Sequence, residues 1–220
     1  MISFSTLRVE RLVVGPIMEN TYILWDEPSK EGYVIDPGGE IEKILRVIEK
    51  HGLKILKILT THAHHDHVIG VMPLKKELKV PVAMHLDSKP ACQILKMFAR
   101  LYQMTEEEVE IPVIDEPLKE GEMLPLGTHK IKVLDTAGHC PGHITLYVPP
   151  WLFVGDVIFK GSIGRTDLPG GETELLMKNI NEKLLPLPDD TVLFPGHGPE
   201  TTIGLEKKTN PFLTGTARLK

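Results

Sequence analysis

The chain has 220 residues, 41% hydrophobic and 25% charged, the balance of a globular chain long enough to bury a sizeable core. Its formal net charge of −5 gives no general attraction to nucleic acid or to an anionic membrane surface, and no apolar run approaches the ~18 residues a spanning helix needs. Cys92 and Cys140 can build neither a disulfide framework nor a Cys-x-x-Cys pair, and Met1 to Glu10 alternates without a charged leader, so the expectation is a protein of the reducing cytoplasm.

Phe4, Leu7, Val9, Leu12 and Val14, then Asn20 to Trp25 and Tyr33 to Asp36, predict an antiparallel meander of three strands. After the sharp turn Asp36-Pro37-Gly38-Gly39, the residues Ile41, Ile44, Leu45, Val47 and Ile48 recur at helical spacing, and Gly52 stands where a C-terminal cap belongs. Residues 54–59 predict a strand, 68–78 a helix and 80–85 another strand. Residues 87–104 read as one amphipathic helix with Ile94, Leu95, Phe98, Leu101 and Tyr102 on a face expected to pack inward; a lid or a dimer contact is the alternative. Thr105-Glu106-Glu107-Glu108 matches a capping box and predicts a helix start. Short strands return at 122–126, 129–134, 143–148 and 152–154, then a helix at 172–185 and a last strand at 191–194. With no short repeat, low-complexity segment or linker, residues 1–220 are expected to form one α/β domain, a mixed sheet covered by helices.

Directly after the 54–59 strand comes Thr60-Thr61-His62-Ala63-His64-His65-Asp66-His67, with four histidines and an aspartate in six positions. Imidazole nitrogen and carboxylate oxygen are ligands for zinc and iron(II). On extended backbone His62 and His64 point to the same side and can grip one ion, while Asp66 and His67 fall just past them and can reach a second. His65 has the wrong parity to join them. Three later residues, His139, Asp156 and His197, each follow a glycine at the end of a predicted strand, where a side chain can project into a cleft. His51, His85 and His129 read as structural, and His143 as a hydrogen-bonding neighbour of the site. Cys140, next to His139, is expected to point away.

The His-x-His-x-Asp-His loop followed in order by Gly138-His139, Gly155-Asp156 and Gly196-His197 resembles the metallo-β-lactamase superfamily. That resemblance implies a four-layer αββα sandwich. It assigns His62, His64 and His139 to a first divalent ion, Asp66, His67 and His197 to a second, and Asp156 to both. Zinc is the expected metal, with iron or manganese open because the same nitrogen and oxygen donors accept all three. The resemblance also makes Asp66 and Asp156 catalytic, at a water held between ions roughly 3.5 Å apart. Asp36 resembles the family's turn aspartate, a partner for a ligand histidine.

Gly155 to Gly171 and Pro195-Gly196-His197-Gly198-Pro199-Glu200-Thr201-Thr202 resemble the short glyoxalase II-like, or hydroxyacylglutathione hydrolase-like, branch. The implied reaction is hydrolysis of a small-molecule thioester such as S-lactoylglutathione, with no nucleic-acid or membrane partner. Arg165 matches the branch's basic substrate contact, with Lys160 as a second candidate, while Asp167 stands where longer enzymes often carry an aromatic residue. The alternative is a persulfide dioxygenase using a single iron, which also carries a Gly-Arg-Thr-Asp segment.

Overall fold

The computed structural model describes residues 6–217, so the expected strand residue Phe4 lies outside the described residues. Strands β1 (Leu7–Val14), β2 (Glu19–Asp26), β3 (Glu31–Ile35), β4 (Lys54–Leu59), β5 (Val82–His85) and β6 (Glu116–Leu118) lie side by side in sequence order in one sheet. The first three pair antiparallel, as the sequence predicts, and β3 to β6 pair parallel. The second sheet starts with the antiparallel run β7 (Met123–Leu126), β8 (His129–Asp135), β9 (Ile144–Val148) and β10 (Trp151–Gly155). A small hairpin follows, β11 (Ile158–Phe159) and β12 (Ser162–Ile163); then β13 (Val192–Pro195) joins β10 in parallel, and β14 (Thr201–Thr202) closes the edge.

The period-2 alternation of strands makes four layers from these two sheets. In the first sheet Ile23, Val34, Ile58, Val82 and Met84 face one side, where they pack with Ile44, Val47 and Ile48 of α1 (Ile41–His51). Their neighbours Tyr22, Leu24, Tyr33, Ile35, Leu59 and Ala83 face the other side and meet Leu126, Ile131, Val133, Leu146, Phe153 and Phe194 of the second sheet. On that sheet's far side Leu134, Leu152, Val154 and Leu193 pack against Leu176, Ile180, Leu184 and Ile203 of the C-terminal helical segments. The result is the αββα sandwich. Strands buried on both faces need apolar residues at every position, which is why they read as continuous apolar runs.

Four helical expectations change. The helix expected over 68–78 is two helices, α2 (His65–Val68) and α3 (Val71–Leu78), broken at Ile69-Gly70. There the Gly70 N–H donates to the Pro37 carbonyl at 3.0 Å, and a side chain on Gly70 would strike that carbonyl and Ile41. The 87–104 segment is a short helix α4 (Lys89–Gln93) followed by tight 3₁₀ turns over Leu95–Tyr102. Cys92, Leu95 and Ala99 face the core, whereas Ile94 and Leu101, expected inside, are 48% and 44% exposed. The Thr105 capping box forms both reciprocal hydrogen bonds, at 2.7 and 3.3 Å, but closes only a turn, because Pro112 lies too close for a helix to propagate. The 172–185 helix is regular only over α5 (Thr173–Asn179) and then widens into a π-turn over Ile180–Leu184. A final helix, α6 (Ile203–Thr209), with the Thr202 hydroxyl accepting from the Leu205 N–H, was not expected. Among the described residues no helix is long and apolar enough to cross a membrane.

Candidate metal centre

The metal-loop residues Thr60 to His67 leave the end of β4. The later candidates leave the ends of β8, β10 and β13, so residues far apart in sequence meet at one rim of the sandwich. The Thr60 N–H donates to the Ala83 carbonyl, and the Ile144 N–H donates to the Thr61 carbonyl at 2.8 Å, which fastens the loop to both sheets. His64 is still extended, but α2 begins at the next residue. That helical turn cancels the two-residue parity and carries Asp66 and His67 to a second place, while His65 turns aside.

His62 Nε2 lies 3.1 Å, and His139 Nε2 2.9 Å, from His64 Nδ1. Hydrogen-bond bookkeeping fixes what two of these nitrogens carry. His139 Nδ1 is 2.7 Å from the Arg165 carbonyl, which only accepts, so Nδ1 holds the proton and Nε2 the lone pair. The Thr61 hydroxyl donates to Asp36 at 2.6 Å, so at 3.1 Å it accepts from His62 Nδ1 and leaves His62 Nε2 bare. Two lone pairs therefore converge beside a third imidazole nitrogen at the spacing of ligands around one small cation. Burial, followed by the neighbouring imidazoles, pushes His62 well below the usual histidine range. Burial is also the leading cause that lowers His64, to about 4.

The second group is Asp66, His67 and His197. His197 Nε2 lies 3.0 Å, and His67 Nε2 3.6 Å, from Asp66 Oδ2. His67 Nδ1 donates to Asp36 Oδ2 at 3.0 Å, which turns His67 Nε2 into the site, where it is buried without a hydrogen-bond partner. Asp156 stands between the groups, with Oδ1 3.5 Å from His67 Nε2 and Oδ2 3.7 Å from His139 Nε2 and 3.9 Å from His197 Nε2. Its Oδ1 is buried and likewise unpartnered. Burial, the largest influence on His67, pushes it towards neutrality, but Asp66, Asp156 and Asp36 outweigh it and hold the imidazole well above its usual range. The same balance lowers Asp66 to about 2, where burial opposes and His67 and His197 prevail. Orphaned donor atoms in a buried, carboxylate-rich pocket fit divalent cations. All seven expected ligands are thus brought together, and His62, His64 and His139 could hold one ion, Asp66, His67 and His197 a second, with Asp156 reaching both.

Two of the supporting residues, Asp36 and His143, stand where the sequence places them, beside the ligands; it does not place Asn20 there. Asp36 has φ +51°, a conformation that aspartate tolerates better than most residues, and accepts from the Thr61 N–H, the Thr61 hydroxyl and His67. His143 Nε2 accepts from the Asp156 N–H at 3.1 Å, so this histidine positions the 155–156 turn. Gly196 sits under Asp156 and His67, where a Cβ would collide with both. Asn20 was read only as a strand residue. Its side chain donates to the Pro195 and Gly198 carbonyls at 2.9 and 2.8 Å, gripping the turn that bears His197. Cys140 corrects an expectation: residues 137–142 form turns and bends instead of extended backbone, and the Cys140 sulfur lies within 4.8 Å of the His62, His64 and His139 donor atoms. Burial pushes its thiol up to about 12.

Above the centre opens a cleft of about 740 Å³, walled by Phe98, Phe159, Lys160, Ile163, Arg165 and Leu168. Lys160 is exposed on this wall. Arg165 is also exposed, and its guanidinium makes two hydrogen bonds, of 2.6 and 2.8 Å, to Asp167.

A family model described as the metallo-beta-lactamase superfamily matches residues 14–197. The chain is 38% identical over 211 residues to "Hydroxyacylglutathione hydrolase GloC" of Haemophilus influenzae (strain ATCC 51907 / DSM 11121 / KW20 / Rd), covering 94% of this chain and 98% of that protein. Among solved structures it is similar to "BLEG-1 B3 metallo-beta-lactamase", with a TM-score of 0.85 and 38% identity over 94% of this chain and 100% of that one. It is also similar to "TTHA1623 in a di-iron-bound form", with a TM-score of 0.82 and 40% identity over 93% of this chain and 100% of that one. The match across nearly the whole chain, on a sandwich whose rim gathers the seven donors, means that the chain belongs to the metallo-β-lactamase superfamily as a metallo-hydrolase.

Proposed function

We propose that the chain, residues 1–220 acting as one domain, is a thioester hydrolase of the glyoxalase II-like kind with two divalent ions, zinc being the expected metal. The observation that carries this reading is the pair of donor groups meeting at Asp156 on the floor of an open cleft. Similarity to a hydroxyacylglutathione hydrolase over almost its full length supports the substrate class. Two buried, unbridged cysteines suit a cytoplasmic location.

When bound, the ions supply a water with a pKa lowered to about 7 and polarise the acyl carbonyl. The chain's part is orientation. The Arg165 carbonyl fixes the His139 ring, Asp36 fixes the His67 ring, and His143 fixes the Asp156 backbone, so the donors do not reorganise during reaction. Lys160 puts positive charge on one cleft wall, and Arg165 adds a guanidinium that an anionic thiol portion would take over from Asp167. A thiolate departs without a strong general acid, which leaves positioning as the main demand on the protein.

The test uses one metal-loaded preparation given S-lactoylglutathione, glutathione persulfide and a chromogenic β-lactam, with thiol release, oxygen uptake and ring opening measured separately. Thiol release without oxygen uptake is expected. Oxygen uptake with an intact thioester would replace this reading by single-iron dioxygenase chemistry, and ring opening alone would replace it by lactamase activity. The glycine-rich turn Pro195-Gly196-His197-Gly198-Pro199, which resembles that of the hydrolases, speaks against the dioxygenase.

A further inference from the structure

A second cavity, of about 240 Å³, lies beside the cleft, and His64, His65, Phe98 and Leu168 line both. The two cavities therefore meet along a rim at the first group of donors. Beyond that rim the wall includes Ala91, Ile94, Leu95, Cys140 and Pro141. The Nδ1 atoms of both threshold histidines are committed elsewhere. His64 Nδ1 faces His62 and His139, and His65 Nδ1 is 2.7 Å from the Tyr102 hydroxyl. The Phe98 ring stacks on the His65 ring with centroids 4.1 Å apart, so this shared rim is braced by packing and a hydrogen bond. Lys160 and Arg165 line the cleft but not the side pocket, and the charged group in the pocket wall is the exposed carboxylate of Asp87.

We propose that this side pocket takes the acyl half of the substrate, and that the preferred substrate is a thioester with an extended, uncharged apolar acyl chain. This deepens the thioesterase reading and rests on it. With the reacting carbonyl over the donors, the two halves of a thioester leave in opposite directions. One wall offers the cationic groups of Lys160 and Arg165 and the other a mainly aliphatic surface. A lactoyl group is short and hydroxylated and leaves that surface unfilled, whereas a butanoyl or hexanoyl chain covers it. Asp87 disfavours an acyl chain ending in a carboxylate. The exposed 3₁₀ segment bearing Phe98 thus acts as the wall of a specificity pocket, a role its amphipathic pattern does not reveal.

The experiment measures kcat/KM on metal-loaded protein for acetyl, butanoyl, hexanoyl and lactoyl thioesters of glutathione. In parallel, calorimetry compares binding of sodium hexanoate with sodium acetate. Each buried methylene contributes about fourfold, so hexanoyl should exceed acetyl by at least about tenfold. Hexanoate should likewise bind tighter than acetate. Ala91→Trp, which fills the pocket, and Leu168→Glu, which charges its mouth, should each bring both ratios down towards one. A flat or falling chain-length series with thioesters still cleaved would overturn the pocket and leave the thioesterase reading standing. Cleavage of no thioester would sink that reading, and the carboxylate comparison would still decide the pocket: equal affinities overturn it. Ratios that persist in both folded variants would also overturn it.

Discussion

Asp36 Oδ2 accepts from His67 Nδ1 at 3.0 Å, and the same carboxylate takes the N–H and hydroxyl of Thr61 at 2.6 Å each, so one strained residue organises both ends of the metal loop. Asp36→Asn keeps the size but turns one acceptor into an NH₂ that faces donors. Apparent metal affinity at the Asp66, His67 and His197 group should fall by roughly 10–100-fold, the usual effect of losing such a partner. Competition with a chromophoric chelator measures it, and an unchanged affinity would remove Asp36 from the metal centre.

Asp156 reaches both donor groups, and its Oδ1 is buried with no partner in the protein. Two ions per chain are expected for the native protein by elemental analysis. Asp156→Ala should hold one at most and lose nearly all turnover while its far-ultraviolet circular dichroism stays native. Stripping metal with a chelator should lower Tm, and zinc returned in excess should restore it by mass action. Full activity with one ion per chain would defeat the two-ion arrangement.

The bidentate pairing of Arg165 with Asp167 places an internal competitor beside any anionic substrate group. An anchor remote from the reacting bond acts on ground and transition states alike, so Arg165→Ala should raise KM about tenfold with kcat nearly kept. Asp167→Ala should instead lower KM, severalfold at most, because exposed ion pairs are weak. A fall in Tm with unchanged KM in both variants would make the pair a loop tie only.

Glu206 of α6 is buried and accepts from the Thr201 hydroxyl at 2.5 Å, the Asn210 amide at 2.8 Å and the Gly161 N–H at 2.9 Å, latching the hairpin next to Lys160. Glu206→Ala leaves these donors without their acceptor, which should cost about 2–4 kcal/mol. In a chain of this length that is a Tm drop of roughly 5–12 °C. Glu206→Gln keeps an acceptor oxygen and should lose less. Equal losses in thermal melts of the two variants would contradict the latch.

The seven donor residues that meet at the rim were legible in the sequence because their chemistry is local. Clustered imidazoles and carboxylates at strand ends beside glycine have few other uses, and α1 with its Gly52 cap follows from periodicity alone. The three-strand meander was legible for the same reason, as short apolar runs bounded by the Gly15-Pro16 and Glu31-Gly32 breaks. Long-range packing decided the rest. The Ile69-Gly70 break comes from the Pro37 carbonyl, more than thirty residues away in sequence, and the grip of Asn20 on Pro195 and Gly198 spans the two sheets. Nor could periodicity show that Ile94 and Leu101 would lie outside while Phe98 turned to His65, since the face a short helix buries is chosen by what it packs against. The sequence determined which atoms can bind metal. The tertiary structure alone decided which of them share an ion's space, how Arg165 is engaged, and that an apolar pocket opens beside them, because those facts are distances between segments that the chain order leaves free.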